Sequence, residues 1–409
     1  MADHLLEFGF DTCVIDYLWY KHDSDGSWEL DDYCMPTPAL ERWPSASKEL
    51  GLKPIADKVH AMGLRFGIHI MRGSSIFAKQ KNCRIKNSPN NSTIRDIILP
   101  NGACSWMNES LSVDVSNPDG ALYYDNLYNL YADWGVDFIK NDCMFGKEFV
   151  KKEVLASANS IENILKNRNH TITYSLSAGA GDIFENVERG KQIESSVNLY
   201  RITDDDWDSW AFLNPAHFDA AANFSNSIGV DGLNGGASFP DLDMLPLGYV
   251  TEIGDEHHFP THQSNLTNHE AITMMTLWSI ARSPLFFGGD MLHLSNDPFT
   301  LSLLTNAGVL EVNSNSFNNR ELSKNVELGL RYWGAEGGDG DGDGVLYGAV
   351  FNTGETDIIV DATSEFELPE GVEFFETLDL WMNVNLPPAD IQQLLVSSHG
   401  SRLLKFTPK

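Results

Sequence analysis

The sequence predicts an α/β fold with a parallel sheet, followed by a small antiparallel β domain. Up to about residue 308, apolar strand-like runs alternate with helix-length segments. This alternation is typical of parallel strands joined by crossover helices. From Val309 onward the runs are short and alternating, and Gly, Asn and Pro separate them, as in antiparallel sheets. We therefore predict two domains, 1–308 and 309–409.

The elements of the first domain follow in chain order. Apolar runs predict strands at 11–17, 64–71, 136–141, 170–176, 196–202 and 284–288. The segments between them predict helices at 46–62, 120–134, 149–167, 206–225 and 268–282. No glycine-rich phosphate fingerprint follows a strand, which counts against a doubly wound, nucleotide-binding sheet. A barrel of eight β/α units takes about 250 residues, so a TIM barrel fits this region.

The C-terminal domain shows no long helical pattern. Its alternating runs predict strands at 328–333, 345–351, 358–360 and 402–406. The sequence GGDGDGDG occupies 337–344 and admits two interpretations, a calcium loop or a flexible acidic hairpin tip. Because the EF-hand spacing and its closing Glu are absent, we favour the hairpin tip.

The composition is globular and strongly acidic. Apolar residues make up 42% of the chain, and 58 acidic against 28 basic side chains give a net charge of −30. Such a surface repels phosphate backbones and anionic lipid, so we expect no nucleic acid and no membrane partner. No apolar stretch approaches the ~20 residues of a transmembrane helix. Neutral or cationic substrates fit best.

Acidic, basic and aromatic side chains follow the predicted strands, at the edge where a TIM barrel carries its active site. They are Asp16, Tyr17, Trp19, His69, Arg72, Lys140, Asn141, Asp142, Arg201, Asp204, Asp205, Asp206, Asp241 and Asp243. Carboxylate pairs with aromatic walls suit glycoside hydrolysis, in which one Asp attacks the sugar and another protonates the leaving oxygen. Trp19, Trp106 and Trp207 are candidates for stacking on a sugar ring, although core packing is the commoner use of a Trp.

Two other chemistries are disfavoured. The 12 His residues form no HExxH motif, and His257, His258 and His262 lie in a polar loop without paired cysteines, so we expect no metal. No G-x-S-x-G motif is present, which counts against a serine nucleophile.

Together these stretches resemble glycoside hydrolase family 27, the α-galactosidase (melibiase) family, and most closely its plant-type branch of β-L-arabinopyranosidase/α-galactosidase enzymes. The stretches that carry the resemblance are FGFDTCVIDYLWY, ADKVHAMGLRFGIHIMRG, WGVDFIKNDCMFG, YRITDDDWDSW, PDLDMLPLG and MMTLWSIARSPLFFGGD. The resemblance implies a (β/α)8 barrel followed by an antiparallel β domain. It also implies a retaining exo-glycosidase with a carbohydrate substrate and no cofactor.

The resemblance also assigns roles to residues. Asp142, two residues after Lys140, corresponds to the family's nucleophile, and Asp205, four residues after Arg201, to its acid/base. Asp142 must be ionised, which Lys140 favours. Asp205 must begin protonated, which acidic neighbours favour if they face the site. The residues expected to bind the sugar are Asp16, Tyr17, Trp19, His69, Lys140, Ser177, Arg201 and Asp243.

Two departures from the family pattern bear on specificity. The family's strand-end pair is Asp-Asp, whereas here it is Asp16-Tyr17. Because the second Asp grips the C4–C6 side of galactose, Tyr17 leaves room for L-arabinopyranose, which lacks the C6 arm. Small residues at Ser177 and Ala180 resemble the pattern of α-N-acetylgalactosaminidases, so this activity is kept as an alternative.

Further departures concern the cysteines and the start of the chain. The family's cysteine pair near the nucleophile suggests a Cys104–Cys143 bridge. Met1 falls where the family has its first helix, so we expect a barrel that lacks its first strand, and a non-catalytic carbohydrate-binding homologue stays an alternative. Family resemblance and six sequons suggest a secreted, or lysosomal or vacuolar, glycoprotein; the sequons are at Asn90, Asn91, Asn108, Asn169, Asn223 and Asn265.

Overall fold

The computed structural model describes residues 1–145, 150–178, 187–252, 260–338, 344–362, 365–366 and 375–408. These residues form two compact units. Unit 1 comprises Met1–Asp204 and Val230–Ser238, and unit 2 comprises Asp205–Gly229 and Phe239–Lys409. The domain division at 308/309 stays a prediction.

Strands and helices are numbered in chain order. The strands are β1 Thr12–Ile15, β2 Arg65–Met71, β3 Ser74–Ser75, β4 Ile98–Ala103, β5 Ser110–Val113, β6 Phe138–Phe145, β7 Thr173–Ala178, β8 Leu199–Arg201, β9 Val230–Asp231, β10 Ala237–Asp241, β11 Tyr249–Val250, β12 His262–Gln263, β13 Ser316–Asn325, β14 Leu330–Gly337, β15 Leu346–Asn352, β16 Ile358–Val360, β17 Phe375–Asp379, β18 Val384–Leu386, β19 Leu394–Val396 and β20 Ser401–Pro408. The α-helices are α1 Lys53–His60, α2 Ile76–Lys81, α3 Ile94–Ile97, α4 Pro118–Asp133, α5 Lys151–Arg168, α6 Val187–Lys191, α7 Trp210–Leu213, α8 Ala216–Phe224, α9 Asn268–Ile280, α10 Pro298–Leu304, α11 Ala307–Asn315 and α12 Pro388–Ile391.

Unit 1 is built on a parallel sheet. Strands β1, β2, β6, β7 and β8 are neighbours in that order, followed by β10, which begins in unit 1, and the short β9. The paired strands β1–β2, β2–β6, β6–β7 and β7–β8 are parallel. Each of the strands β1, β2, β6, β7 and β8 is followed by at least one helix before the next strand of this sheet, which agrees with the predicted β/α alternation.

The sheet register places several predicted site residues at one level. Ile15 pairs with Ile68, so Asp16, which follows β1, and His69, which lies within β2, are at the same height. His69 pairs with Lys140, and Met71 pairs with Asp142. Since all these strands run in one direction, their carboxyl ends lie at one edge of the sheet.

The helices of unit 1 depend on local signals. Helix α4 begins after Asn117, whose side chain accepts the Asp119 N–H, and it has Pro118 at its first position, both of which favour a helix start. The predicted helix 46–62 is shortened to α1. The chain first passes through Gly51 at φ +57°, where a Cβ would lie 2.1 Å from the Trp134 indole.

Two predicted elements of unit 2 are wrong. The helix expected at 206–225 is divided into α7 and α8 at the cis Asn214–Pro215 bond, because a residue before Pro is disfavoured in the helical conformation. The strand expected at 284–288 is replaced by an isolated bridge between Leu245 and Phe287.

The C-terminal part of unit 2 confirms the predicted antiparallel sheet. Six strands follow the order β13-β14-β15-β20-β17-β18, and β16 pairs with β19 in a second sheet. Side chains from both sheets, among them Val350, Val360, Val396 and Leu404, share one hydrophobic core. As predicted, no long helix follows Val309 among the described residues, although the short α11 continues to Asn315 and α12 has four residues. The central residues of the GGDGDGDG segment lie outside the described residues.

Two disulfides are present, Cys34–Cys83 and Cys104–Cys143. The second confirms the predicted bridge, whereas the first was not predicted from the sequence. Cys13 is a free thiol. None of the described helices is both long and apolar enough to cross a membrane.

Candidate active site

The end of β6 carries the centre of the candidate site in unit 1. Successive side chains of a strand point to opposite faces, so Lys140 and Asp142 share one face and Asn141 points to the other. The Asn141 side chain is buried and donates to the hydroxyls of Tyr128 (3.2 Å) and Tyr174 (3.1 Å). Asn141 therefore fixes the back of the strand while its two neighbours face the site.

Asp142 is a largely buried carboxylate with two hydrogen-bond donors. His69 Nε2 lies 3.1 Å from Oδ2, and the Cys143 N–H donates to Oδ1 at 2.6 Å. Desolvation raises the pKa of Asp142, but the hydrogen bond and charge of His69, with the charge of Lys140, outweigh it and the net shift is downward. Asp142 is therefore ionised at neutral pH, with further oxygen lone pairs left for a ligand.

His69 orients Asp142 and is itself enclosed. Its side chain is only 2% exposed. Because a carboxylate only accepts, Nε2 carries the proton in this contact. His69 is therefore a positioning residue for Asp142, and its predicted contact with the sugar stays a prediction.

Trp19 lies behind His69. Its side chain is completely buried, and its indole N–H donates to the His69 carbonyl at 2.7 Å. The ring packs edge-on against Tyr20, Tyr131 and Trp134. Trp19 therefore supports His69 from the core, and its predicted contact with the sugar stays a prediction.

Asp16 and Tyr17 follow β1 on the same edge of the sheet. Asp16 is exposed to solvent. Desolvation raises the pKa of Asp16, but the charges of Lys140, His69 and Arg201 outweigh it and lower the pKa overall. The Tyr17 ring lies edge-on to His69, with ring centroids 5.6 Å apart.

The remaining predicted residues of unit 1 lie at the ends of β7 and β8. Ser177 is buried near the end of β7, and its predicted role in leaving space for a sugar substituent stays a prediction. Ala180 lies outside the described residues. Arg201 is buried at the end of β8, and its guanidinium donates to the Thr203 carbonyl at 3.2 Å. The charge of Arg201 also acts on Asp16, which places it in the same charged cluster.

Asp205 and Asp243 belong to unit 2. Asp205 is exposed, as is Asp204, whereas the carboxylate of Asp206 is buried. The Asp206 N–H donates to Asp243 Oδ2 at 2.7 Å. Asp243 has φ +90°. Its backbone N–H donates to Asp241 Oδ1 (2.8 Å), and its carbonyl accepts the Trp278 indole N–H (2.8 Å). Asp243 thereby anchors the segment that presents Asp205.

Arg72 has a role that the sequence did not reveal. The Arg72 guanidinium donates to the carbonyls of Cys143 (2.9 Å) and Gly102 (3.2 Å). The backbone N–H of Arg72 donates to the Asp142 carbonyl (3.1 Å). Arg72 is 2% exposed, so it clamps the backbone around Asp142 and does not face a ligand. Its position four residues beyond the apolar run 64–68 was visible in the sequence, but the direction of its side chain was not.

The described part of the chain contains no group of three or more His, Cys, Asp or Glu side chains that could hold a metal ion. His262 Nε2 instead lies 2.8 Å from Asp208 Oδ2. His257 and His258 lie outside the described residues.

A parallel β/α sheet with ionised and basic side chains at its strand ends, followed by an antiparallel domain, is the arrangement of many glycoside hydrolase barrels, and the comparisons with known proteins place the chain in that class. The sequence profile of the family described as alpha galactosidase A matches residues 113–315. The β-L-arabinopyranosidase of glycoside hydrolase family 27 from Geobacillus stearothermophilus, solved as a variant in complex with arabinose, is 31% identical, with a TM-score of 0.85. That comparison covers 100% of this chain and 91% of the other.

Two further relatives agree. A proposed α-N-acetylgalactosaminidase from Bacillus halodurans is 30% identical with a TM-score of 0.81, covering 100% of this chain and 91% of that one. An α-galactosidase from Oryza sativa subsp. japonica is 24% identical over 336 residues, and the match spans 80% of this chain and 60% of that enzyme. The chain belongs to glycoside hydrolase family 27, and the TIM-barrel fold class is confirmed.

Proposed function

We propose that this protein is a retaining exo-glycosidase that removes terminal β-L-arabinopyranosyl or α-D-galactosyl residues. The observation that carries the proposal is Asp142, a buried carboxylate that is held ionised at a strand end by His69 and Lys140. Two of its acceptor positions are occupied by protein donors, so the carboxylate is oriented while lone pairs stay available for attack.

The mechanism has two displacements. In the first, an oxygen of Asp142 attacks C1 of the sugar, and the proton of the Asp205 carboxyl goes to the departing glycosidic oxygen. In the second, the Asp205 carboxylate takes a proton from water, and the water oxygen displaces Asp142 from C1. Two inversions give net retention, and the mechanism requires carboxyl groups about 5–5.5 Å apart.

The proposed sugars share their ring stereochemistry and differ at C5. Asp16 is positioned to bind the hydroxyl side of the ring, where its charge balances Lys140 and Arg201. Tyr17 stands where the family carries a second acidic residue for galactose. The 31% identical neighbour is a β-L-arabinopyranosidase, which supports the pentopyranoside as the preferred substrate.

A second candidate is α-N-acetylgalactosaminidase activity. It is favoured by the small, buried Ser177, since a 2-acetamido group needs space, and by the likeness to the Bacillus halodurans protein. Comparing para-nitrophenyl α-N-acetylgalactosaminide with the other two glycosides separates the candidates.

The test is nitrophenol release from para-nitrophenyl β-L-arabinopyranoside and α-D-galactopyranoside. We expect Asp142→Ala to abolish turnover by several orders of magnitude, because the nucleophile is lost. Sodium azide should then restore release from the variant and form a glycosyl azide of inverted configuration. Asp204→Asn, at an exposed acidic residue beside Asp205, is the matched control and should retain turnover. An Asp142→Ala enzyme as active as the wild type would contradict the proposal.

A further inference from the structure

Trp106 is an exposed aromatic side chain in unit 1 that the mechanism does not use. It lies on the loop between β4 and β5, and 40% of it is exposed. Among the described tryptophans it is the only one open to this degree. An exposed indole does not gain the full free energy of burial. Core packing alone therefore does not explain a Trp at this position.

The loop that carries Trp106 is fixed to the nucleophile strand. Cys104 is bonded to Cys143, the residue that follows Asp142. The Cys104 N–H donates to the Ser110 carbonyl (3.0 Å), and the Ser110 N–H donates to the Met107 carbonyl (3.0 Å). These contacts close the loop on itself, so Trp106 is held at a defined place relative to Asp142.

Trp106 contacts Tyr17, which connects it through His69 to Asp142. The Trp106 and Tyr17 rings lie 6.3 Å apart with a tilt of 32°. Tyr17 in turn lies edge-on to His69, whose Nε2 contacts Asp142. We call the Tyr17 and Trp106 side chains the aromatic wall. Tyr17 directly follows Asp16 in the chain, so the aromatic wall lies next to the carboxylate proposed to bind the ring hydroxyls.

We propose that Trp106 is a specificity-determining residue, which holds Tyr17 against the C5 edge of the bound sugar and closes the space that a C6 hydroxymethyl group needs. This inference rests on the proposed function. The C5 methylene of a pentopyranose is apolar and suits an aromatic face. A hexopyranose carries at C5 a hydroxymethyl group that would have to displace Tyr17 or lose its hydration. The site therefore selects terminal pentopyranosides over hexopyranosides.

The test compares kcat/KM for the two nitrophenyl glycosides in the wild type, Trp106→Ala and Trp106→Phe. Hydrophobic pockets discriminate by about 10–200-fold per small group. We expect Trp106→Ala to shift the galactoside-to-arabinopyranoside ratio at least about 10-fold towards the galactoside, and Trp106→Phe to retain most of the wild-type ratio. Tyr33→Ala removes an aromatic side chain of similar exposure (41%) that lies under Lys86, and should leave the ratio unchanged. An unchanged ratio in Trp106→Ala, or an equal loss for both sugars, would overturn the inference.

A binding measurement decides the inference independently of turnover. Calorimetry on Asp142→Ala and on Asp142→Ala/Trp106→Ala gives Kd for free L-arabinose and D-galactose without hydrolysis. We expect the Kd ratio to move towards galactose in the double variant, and equal ratios would contradict the inference. If the wild type hydrolyses neither glycoside, the proposed function fails, and this Kd ratio still supports or overturns the role of Trp106.

The two rings should also act as one unit. Side chains in contact give non-additive effects in a double-mutant cycle. Tyr17→Ala and Trp106→Ala should each raise the galactoside-to-arabinopyranoside ratio of kcat/KM. The double variant should raise this ratio by less than the product of the two single fold-changes. Fully independent effects would mean that Trp106 does not act through Tyr17.

Discussion

Asp142 shows how single residues set the chemistry of this protein. Burial alone would raise its pKa and favour the protonated, non-nucleophilic acid. His69 and Lys140 reverse that effect, and the net shift is downward. Since the folded-state pKa lies below that of the unfolded chain, Asp142 favours folding above the unfolded pKa. That contribution is lost as the pH falls through the folded pKa.

The first prediction concerns the pH profile of catalysis. His69→Phe removes the donor to Asp142 Oδ2, so the pKa of Asp142 should rise. Hydrogen bonds to charged groups contribute about 1.5–3 kcal/mol, so the acid limb of kcat/KM should move up by roughly one pH unit or more.

The control for this variant is a second His–Asp pair. His60 Nε2 lies 2.7 Å from Asp137 Oδ2 on the surface of unit 1. His60→Phe should leave the acid limb in place. An acid limb that does not move in His69→Phe would contradict the role given to His69.

At the scale of elements, the turn before α1 closely approaches the end of α4 at Gly51. Gly51 precedes α1 in a left-handed conformation, and Trp134 directly follows α4. The indole occupies the place that a Cβ would take. A larger residue would therefore have to displace both the turn before α1 and the end of α4.

The second prediction follows from this contact. Gly51→Ala should lower the free energy of unfolding by about 2–4 kcal/mol, because overpacking adds to the cost of a left-handed alanine. Gly9 has φ +90° with no atom within 4 Å of its virtual Cβ, so Gly9→Ala isolates the backbone cost and should lose only about 1 kcal/mol. Urea denaturation of both variants measures the difference, and equal losses would show that Trp134 yields without cost.

At the scale of the whole molecule, the two disulfides are similar in span and differ in what they hold. Cys34–Cys83 is separated by 49 residues and Cys104–Cys143 by 39 residues. The chain-entropy relation gives each about 4 kcal/mol of stabilisation. Only the second is attached to the residue after Asp142 and to the loop of Trp106.

The third prediction uses this difference. Cys34→Ala/Cys83→Ala and Cys104→Ala/Cys143→Ala should lose comparable stability in thermal unfolding, up to about 4 kcal/mol each. At a temperature where both variants are folded, only the second should lose kcat/KM, because misplacing catalytic groups by about 1 Å can cost roughly 10²-fold. Equal activities in the two folded variants would show that the Cys104–Cys143 bridge does not position the site.

The alternation of strands and helices, and the site residues that follow the strands, could be predicted from the sequence. Parallel strands leave an alternation of apolar runs and helices, and their carboxyl ends locate Asp16, His69, Lys140 and Asp142. The complete burial of Trp19 could not be predicted from the sequence, because burial is a property of tertiary packing.

Other features depended on contacts between residues distant in the chain. The strand expected at 284–288 is apolar enough, but no neighbouring strand pairs with it along its length among the described residues. The bridge Cys34–Cys83 and the clamp by Arg72 join segments whose proximity no local pattern reveals. The break between α7 and α8 was foreseeable from Pro215.

The central claim is that Asp142 is the nucleophile of a retaining glycosidase. The most direct measurement is mass spectrometry of Asp205→Ala after incubation with a dinitrophenyl β-L-arabinopyranoside, whose good leaving group needs no acid catalyst. We predict a covalent adduct of one pentosyl residue on the peptide that contains Asp142. An adduct on another residue, or turnover of this substrate with inversion of the anomeric centre, would contradict the account.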